Sequence, residues 1–314
     1  MKKSYRIPVY ILCFCILVLP SLGCGKTPSR NMENTPGPSF ADSPASAERP
    51  SPSESTDSGK SPVNTENPET MITEDLSGYF TGYEGCFVLF DQNQNKYTVY
   101  NEEKSGKRMP PCSSFKIVNA LIGLETGVLA DENTAFPWDR TQYAIESWNQ
   151  DQTLQSAVTH SCVWYFQRVA AEVGEERMQE YLDGIEYGNR DISGGITEFW
   201  LMSSLTISPM EQVGILRRMY GCQLPVSREN IDTVKKVITL SDENGIRLSG
   251  KTGSGVGANG NRYSNGWFVG YVEKDGNAYF FATNIEPDGA SDESAGGIQA
   301  KEITLSILRD KGLY

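Results

Sequence analysis

A long segment near the start of the chain is too rich in proline and serine to form a packed core. Residues 24–73 hold eight of the sixteen prolines, and Phe40 is their one aromatic residue. This composition buries too little apolar surface to offset the conformational entropy lost on folding, and it favours an extended spacer. We therefore predict that residues 24–73 form a disordered tether and that one folded domain occupies residues 74–314.

The first residues have the layout of a secretory signal. Residues 1–23 combine a cationic start, a short apolar run and small residues before a cleavage point. Ser21-Leu22-Gly23-Cys24 resembles a bacterial lipoprotein box, in which the cysteine becomes the lipidated first residue, although Ser21 stands where leucine is usual. We expect export, with a lipid on Cys24 holding the domain at the outer face of the cell membrane. Ordinary signal cleavage, which gives a periplasmic or secreted protein, and an uncleaved anchor stay open.

Charge and residue usage narrow the function. The chain has 28 Lys and Arg against 40 Asp and Glu, a net charge of −12, so it lacks the basic surface that nucleic-acid binding requires. The single histidine, His160, leaves little room for a Ser-His-Asp triad or a His-ligated zinc site. The seven cysteines show no CxxC spacing. We predict no nucleic-acid partner, no metal, and catalysis through another base.

Hydrophobic periodicity in the folded region predicts strands at both ends and helices between them. CFVLFD and KYTVYN flank a polar turn, which indicates a hairpin. Helical patterns follow from Cys112 or Ser113 to about Gly127, over CVWYFQRVAAEV, and after the capping residues Ser208 and Ser227. Three strands from Ile246 onwards precede the final helix AKEITLSILRDKG. The prediction is an α+β domain, with an antiparallel sheet flanked by helices and a helical region in the middle.

Ser113 and Lys116 stand at positions i and i+3 near a predicted helix start. Such positions share a face, so the lysine can reach the serine. The first turn also offers free N–H groups and a positive dipole, which together suit a developing oxyanion. Taken alone, the pattern equally fits a serine cap followed by a surface lysine.

A second short motif, Lys251-Thr252-Gly253, follows the start of a predicted strand. Its Lys and Thr can line a cleft edge, and Gly253 lets a ligand approach the backbone. The order Ser-x-x-Lys, a second serine at Ser161, and then Lys-Thr-Gly is much more specific than either motif alone, because three motifs must fall in one order at domain-scale spacing.

In these residues the chain resembles the penicillin-recognising serine enzymes, and among them the class D (oxacillinase-type) β-lactamases. The resemblance covers residues 80–314. PCSSFKIVNALIGLETGVL is similar to that family's nucleophile helix, Ser161-Cys162-Val163 to its S-x-V motif, Tyr187-Gly188-Asn189 to YGN, and Lys251-Thr252-Gly253 to KTG. The resemblance implies a β-lactamase/transpeptidase-like fold and a small-molecule β-lactam substrate.

The resemblance also implies the chemistry. Ser113 is the nucleophile, and Lys116 carries a carbamate (N6-carboxylysine) that acts as general base, so CO₂ or bicarbonate is the one co-reactant expected. Burial beside Phe115, Val163 and Trp200 lowers the lysine pKa so that the neutral amine can react. By the same resemblance, the Trp200 indole N–H donates to the carbamate.

The remaining roles in the site come from the same resemblance. Ser161 relays the proton to the lactam nitrogen, while the backbone N–H groups of Ser113 and Ser254 form the oxyanion hole. The residues that would meet the substrate are Val163, Lys251, Thr252, Gly253 and Ser254, with Lys251 and Thr252 at its carboxylate. His160, next to Ser161, is expected to be incidental.

Three features depart from the family pattern or remain open. Ala300 stands where the family usually has an arginine for the substrate carboxylate, so Arg262, Lys301 and Lys251 are the candidates to replace it. Glu186-x-x-Asn189 matches the glutamate motif of class A enzymes, which we interpret as coincidence because the second motif is Ser-Cys-Val. Cys112 and Cys162 adjoin motif serines; a disulfide stays open, and buried inert thiols are expected.

The motifs leave two classes of function. The first is a hydrolase that turns over β-lactams and confers antibiotic resistance. The second is a β-lactam-sensing or penicillin-binding domain that is acylated and stays so; a receptor of this kind would need transmembrane helices and a signalling domain. A transpeptidase usually carries Asn as the third residue of the second motif, and Val163 argues against it. The sequence sets neither the β-lactam spectrum nor the oligomeric state.

Overall fold

The computed structural model describes residues 68–257, 263–289 and 294–314. The predicted signal at 1–23, the lipidation site Cys24 and the tether up to residue 67 lie outside the described residues. Among the residues that are described, no helix has the length and apolar character needed to cross a membrane.

One large sheet organises the described part of the chain. Its strands are β1 (Thr70–Thr73), β2 (Tyr83–Asp91), β3 (Lys96–Tyr100), β6 (Thr239–Glu243), β7 (Ile246–Val256), β8 (Tyr263–Lys274) and β9 (Asn277–Pro287). A separate small pair joins β4 (Ala135–Phe136) to β5 (Gln152–Thr153). Within the described ranges the seven strands lie in the order β1-β3-β2-β9-β8-β7-β6. The predicted hairpin is β2–β3, and the three predicted C-terminal strands are β7 to β9, both confirmed.

The sheet edge formed by β1 corrects two predictions. β1 pairs with β3 in parallel, so the sheet is mixed and not wholly antiparallel. β1 also falls inside the residues assigned to the tether, which moves the start of the folded region to before residue 73. All four of its residues are exposed, so no apolar alternation marked it as a strand. Its backbone pairs with Lys96–Val99 of β3, and just before it Glu69 contacts Arg217 at 3.1 Å, whose guanidinium lies 3.4 Å from the centre of the Phe90 ring.

Helices fill the middle of the chain, as predicted. They are α1 (Glu102–Gly106), α2 (Lys116–Glu125), α3 (Leu154–Thr159), α4 (Val163–Val173), α5 (Glu175–Ile185), α6 (Pro209–Tyr220), α7 (Arg228–Val237) and α8 (Gly297–Asp310). Ser208 caps α6 in a capping box with Glu211, with Pro209 at the first helical position, and Ser227 caps α7. α7 ends at Val237 because the chain turns directly into β6.

Apolar side chains on the two sheet faces form two cores. Along β8, Trp267, Val269 and Tyr271 point to the face covered by the central helices. Phe268 and Val272 point to the opposite face, where they pack with Ile303 and Ile307 of α8. This two-residue alternation is what a strand buried on both faces requires. The neighbouring strand β7 therefore lies between the two cores, with α8 on one face and the helical region on the other.

Candidate active site

The predicted nucleophile lies at the junction of a tight turn and a helix. Cys112–Phe115 form a short 3₁₀ helix that runs directly into α2, whose first residue is Lys116. The buried Ser114 donates to the carbonyl of Pro111 at 2.8 Å, and its neighbour Ser113 is partly exposed. The i, i+3 spacing then brings Lys116 Nζ to 3.0 Å from Ser113 Oγ. The reach predicted from the sequence is confirmed.

Lys116 is completely buried, at 0 % exposure. Its amine lies 3.0 Å from Ser113 Oγ, 3.1 Å from Ser161 Oγ and 2.6 Å from the Ser161 carbonyl oxygen, and it stands 5.7 Å from the centre of the Phe166 ring. Burial, followed by the nearby charge of Lys251, holds the pKa of Lys116 well below its usual value. A neutral amine has a free lone pair, so this lysine can act as a base or as a nucleophile.

Ser161 joins two lysines. It stands just before α4, and its hydroxyl lies 3.1 Å from Lys116 Nζ and 2.9 Å from Lys251 Nζ. Burial, with a smaller contribution from Lys301, lowers the pKa of Lys251 to about 7. Two ammonium groups sharing one hydroxyl would repel each other, so the arrangement favours a neutral Lys116. The polar chain Ser113–Lys116–Ser161–Lys251 is therefore a continuous route for a proton.

Strand β7 carries the Lys-Thr-Gly motif past the nucleophile turn. Gly253 lies so close to that turn that an added Cβ would stand 2.8 Å from the Pro111 carbonyl oxygen and 3.1 Å from the Ser114 nitrogen. The Gly250 N–H donates to Ile238 at the edge of β7 away from β8. Because N–H direction alternates along a strand, the N–H of Ser254 points to the same edge, where the nucleophile turn lies.

Trp200 is fully buried behind the nucleophile turn, and its carbonyl accepts a hydrogen bond from the Cys112 N–H at 3.0 Å. Its ring packs against Phe115 and Phe199, with centroid separations of 5.8 and 4.9 Å. In the described part of the chain its indole Nε1 has no hydrogen-bond partner. A buried N–H without an acceptor is costly, so this donor is one of the few groups here that a ligand or modification could satisfy.

Some residues in the site were missed by sequence reasoning. Gln212 of α6 donates to Ser114 Oγ at 3.0 Å and to Tyr187 Oη at 3.3 Å, inside the core. Asn265 and Trp267 of β8 both donate to the Pro110 carbonyl, at 2.8 and 2.9 Å. These bonds fix the nucleophile turn from two sides. No local pattern marks them, because their partners in the nucleophile turn are about a hundred residues or more away in the sequence.

Three residues around the site have left-handed backbone. Cys112, Ser161 and Met202 have φ of 50°, 52° and 45° without being glycine. Met202 lies over β7, since a Cβ on Gly255 would meet both its sulfur and that of Cys112. Residues other than glycine adopt this conformation only where the surrounding structure enforces it.

Several residues discussed from the sequence have no part in the proposed reaction. Glu186 is exposed and 3.4 Å from Arg218, which fits the interpretation of its motif as coincidence, and His160 is also exposed. Cys112 and Cys162 are buried free thiols, as expected, and burial raises their pKa values to about 12 and about 11. Among the described residues no group of three or more His, Cys, Asp or Glu side chains could hold a metal ion.

Val163 is the first residue of α4, two positions after the second-motif serine, and is partly exposed. The aromatic ring that lies over Lys116 is Phe166, one turn further along α4, and the sequence reasoning did not include it. The family resemblance implied that Val163 lies in the apolar pocket around Lys116, and the contact found between α4 and the amine is made by Phe166. The motif itself does not reveal which apolar side chain of the helix covers the amine.

Comparison with known proteins finds both a regulatory protein and a probable β-lactamase among the relatives of this chain. The family described as penicillin binding protein transpeptidase domain matches residues 85–309. The chain is 44% identical over 243 residues to the regulatory protein BlaR1 of Bacillus licheniformis, covering 77% of this chain and 39% of that protein. It therefore spans about two fifths of the length of BlaR1. It is 40% identical over 234 residues to the probable β-lactamase YbxI of Bacillus subtilis (strain 168), covering 74% of this chain and 83% of YbxI.

A solved structure gives the same relationship in three dimensions. The class D β-lactamase BAT-2 superposes with a TM-score of 0.72 at 39% identity, over 77% of this chain and 97% of that one. The predicted fold class is confirmed, with the one parallel strand pair as its correction. By family match, sequence identity and fold, this chain belongs to the penicillin-binding transpeptidase-domain family, in the branch that contains the class D β-lactamases.

Proposed function

We propose that this protein hydrolyses β-lactams through an acyl-enzyme on Ser113. The observation that carries the proposal is the buried Lys116 amine, which lies 3.0 Å from Ser113 Oγ and 3.1 Å from Ser161 Oγ. A low pKa at that position provides the base that a chain without a catalytic histidine needs.

The geometry supports the following sequence. The base at Lys116 takes the Ser113 proton while Oγ bonds to the lactam carbonyl carbon, and the carbonyl oxygen becomes an oxyanion facing the N–H groups of Ser113 and Ser254. The C–N bond then breaks, and Ser161 passes its proton to the lactam nitrogen. The proton that the Lys116 base took from Ser113 replaces it on Ser161, 3.1 Å away, so the base is free again. Water, activated by the same base, releases the product and restores Ser113.

The proposed base is the carboxylated form of Lys116. A neutral amine adds to CO₂ and loses one proton to give a carbamate, and the depressed pKa of Lys116 keeps the amine neutral. The unpartnered Nε1 of Trp200 supports this assignment, because it is a buried donor without an acceptor in the described structure. A carbamate oxygen would satisfy it.

Substrate-carboxylate binding is proposed to rest on Lys251 and Thr252, with Lys301 in support. Ala300 is buried and carries no polar side-chain atom, so it contributes no contact. Lys301 is the next residue of α8, and its amine lies 5.8 Å from the centre of the Phe268 ring. Phe268 pairs directly with Thr252, and the charge of Lys301 acts on Lys251. Arg262, the other candidate, lies outside the described residues.

The second candidate function is a β-lactam sensor that is acylated without turnover. The 44% identity to BlaR1 favours it. In both functions the first step is acylation of Ser113, and they differ in whether water then attacks the ester. Val163, the third residue of the second motif, is apolar and adds no hydrogen bond to Lys116, which leaves the proposed base free for deacylation.

Steady-state hydrolysis of a chromogenic β-lactam by the full chain, with and without bicarbonate, tests the proposal. Ser113→Ala is the matched control, and intact-protein mass spectrometry follows the acyl adduct. Sustained turnover that bicarbonate raises and Ser113→Ala abolishes is the expected result. One equivalent of lasting adduct would establish the sensor instead, and full turnover by Ser113→Ala would overturn both.

Export and lipid anchoring belong to the same proposal. An enzyme that destroys β-lactams acts where these compounds enter, and a lipid on Cys24 would place residues 68–314 at the outer face of the cell membrane. Metabolic labelling with a radioactive fatty acid tests this. The label should be incorporated by the chain and lost in Cys24→Ala, and equal labelling of both would contradict it.

A further inference from the structure

The proposed function uses the backbone N–H of Ser254 and not its side-chain hydroxyl. Its side chain points to the face of β7 opposite to Lys251, toward α8. There its hydroxyl accepts a hydrogen bond from the Gly297 N–H, the first residue of that helix, at 2.9 Å. Gly296, which precedes α8 at the usual capping position, has no side chain with which to cap it. The cap of α8 is therefore supplied by a strand more than forty residues earlier in the chain.

Glycines bring the helix start close enough for this bond. A Cβ on Gly297 would stand 2.8 Å from both the Gly253 carbonyl oxygen and the Thr252 Cβ. A Cβ on Gly266, the partner of Ser254 in β8, would stand 2.5 Å from the Gly296 carbonyl oxygen. The start of α8 thus lies directly against the segment of β7 that passes the nucleophile.

This segment of β7 needs such support. The pairing of β6 with β7 stops at Ser249, so beyond it the edge of β7 that faces the nucleophile turn has no neighbouring strand. The register with β8 shifts between Gly255 and Val256, immediately after Ser254. In the described structure the N–H proposed to meet the oxyanion therefore lies on a stretch of β7 that pairs with another strand, β8, on one side only.

We propose that the Ser254 hydroxyl is a positioning residue: by capping α8, it fixes the Ser254 N–H in the oxyanion hole. The inference rests on the proposed acylation of Ser113. If this inference is right, loss of the Ser254 hydroxyl slows acylation more than the accompanying loss of stability explains. The reason is that the hydrogen bond joins β7 to α8, which packs in a separate hydrophobic core.

Four variants of the full chain separate positioning from capping. Ser254→Ala removes the bond, and Ser254→Thr keeps a hydroxyl. Gly296→Ser gives α8 a local cap, since Gly296 has the extended backbone (φ −110°, ψ 176°) that a capping serine adopts. Ser254→Ala/Gly296→Ser caps the helix without linking it to β7. The second-order rate constant for acylation by a penicillin is followed by mass spectrometry, and the unfolding temperature by calorimetry.

The expected result is a loss of about tenfold or more in acylation rate for Ser254→Ala, with the roughly 10²–10³ that a lost oxyanion donor costs as its upper limit. Ser254→Thr, which keeps a hydroxyl, should lose less rate than Ser254→Ala. Gly296→Ser, which leaves Ser254 intact, should acylate at close to the original rate. The double variant should regain unfolding temperature without regaining rate. An unchanged rate in Ser254→Ala, or a rate restored together with stability in the double variant, would overturn the inference. Absence of acylation in the unsubstituted chain would contradict the proposed function itself.

Discussion

Removing the indole N–H of Trp200 tests the proposed carbamate on Lys116 directly. Trp200→Phe keeps an aromatic ring against Phe115 and Phe199 but deletes the indole N–H, which is buried and lacks a partner in the described structure. Before carboxylation the N–H costs about 1–3 kcal/mol, and its removal offsets part of the void that the smaller ring leaves. We therefore expect little change in stability when CO₂ is excluded.

The effect should appear in the affinity for CO₂. A hydrogen bond to a charged acceptor contributes about 1.5–3 kcal/mol, and 1.4 kcal/mol is a factor of ten. One such bond made only by the carbamate therefore changes the half-saturating bicarbonate concentration by roughly 10- to 150-fold. Trp200→Phe should need that much more bicarbonate for half-maximal activity.

The assay is a bicarbonate titration of β-lactam turnover in degassed buffer, with ¹³C NMR of the carbamate as a readout independent of catalysis. Phe199→Leu is the matched control, because it disturbs the same aromatic cluster without removing a donor. It should titrate as the unsubstituted chain does. Equal half-saturation in Trp200→Phe and the unsubstituted chain would refute the argument from the unpartnered donor.

Three further substitutions test other parts of the site. Ser161→Ala removes the hydroxyl shared by Lys116 and Lys251 and should lower kcat/KM by about 10²–10⁴ with an unchanged circular dichroism spectrum; a normal kcat/KM would exclude the relay. Burial and, to a smaller extent, the charge of Lys301 lower the pKa of Lys251 to about 7, and Lys301→Met removes the second of these causes, so the pKa of Lys251 should rise. Lys251 is cationic below its pKa, so the rise in KM with pH should move to higher pH, and an unmoved profile would count against Lys301. Gln212→Leu leaves Ser114 and Tyr187 without their buried partner and should cost about 1–3 kcal/mol in urea unfolding; Gln94→Leu at an exposed position is the control, and equal midpoints would contradict the network.

The sequence predicts the parts of this fold that depend on local pattern. The hairpin, the capped starts of α6 and α7, and the i, i+3 approach of Lys116 to Ser113 follow from periodicity and spacing, and the structure has them. β1 was not predicted because its residues are exposed and it is defined by backbone pairing with β3, more than twenty residues later in the chain. Local sequence carries no signal for such a contact.

The candidate site divides in the same way. Short motifs identify Ser113, Lys116, Ser161 and Lys251, because their chemistry needs those residue types at fixed spacing. The side chains that hold them, such as Gln212 and Asn265, act across the fold and could equally be ordinary polar residues. The unpartnered state of Trp200 Nε1 is a property of three-dimensional packing, so only coordinates could reveal it.

The left-handed backbone at Cys112, Ser161 and Met202 sets the stability of this protein against its proposed activity. Each such residue costs of order 1–3 kcal/mol, against the 5–15 kcal/mol that separates a typical folded domain from its unfolded chain. Glycine would relieve the cost at any of the three positions, and at Ser161 it would also delete the hydroxyl that the two lysines share. A library selected for heat resistance alone should accumulate changes here, and the clones that survive longest should be those that have lost their response to penicillin.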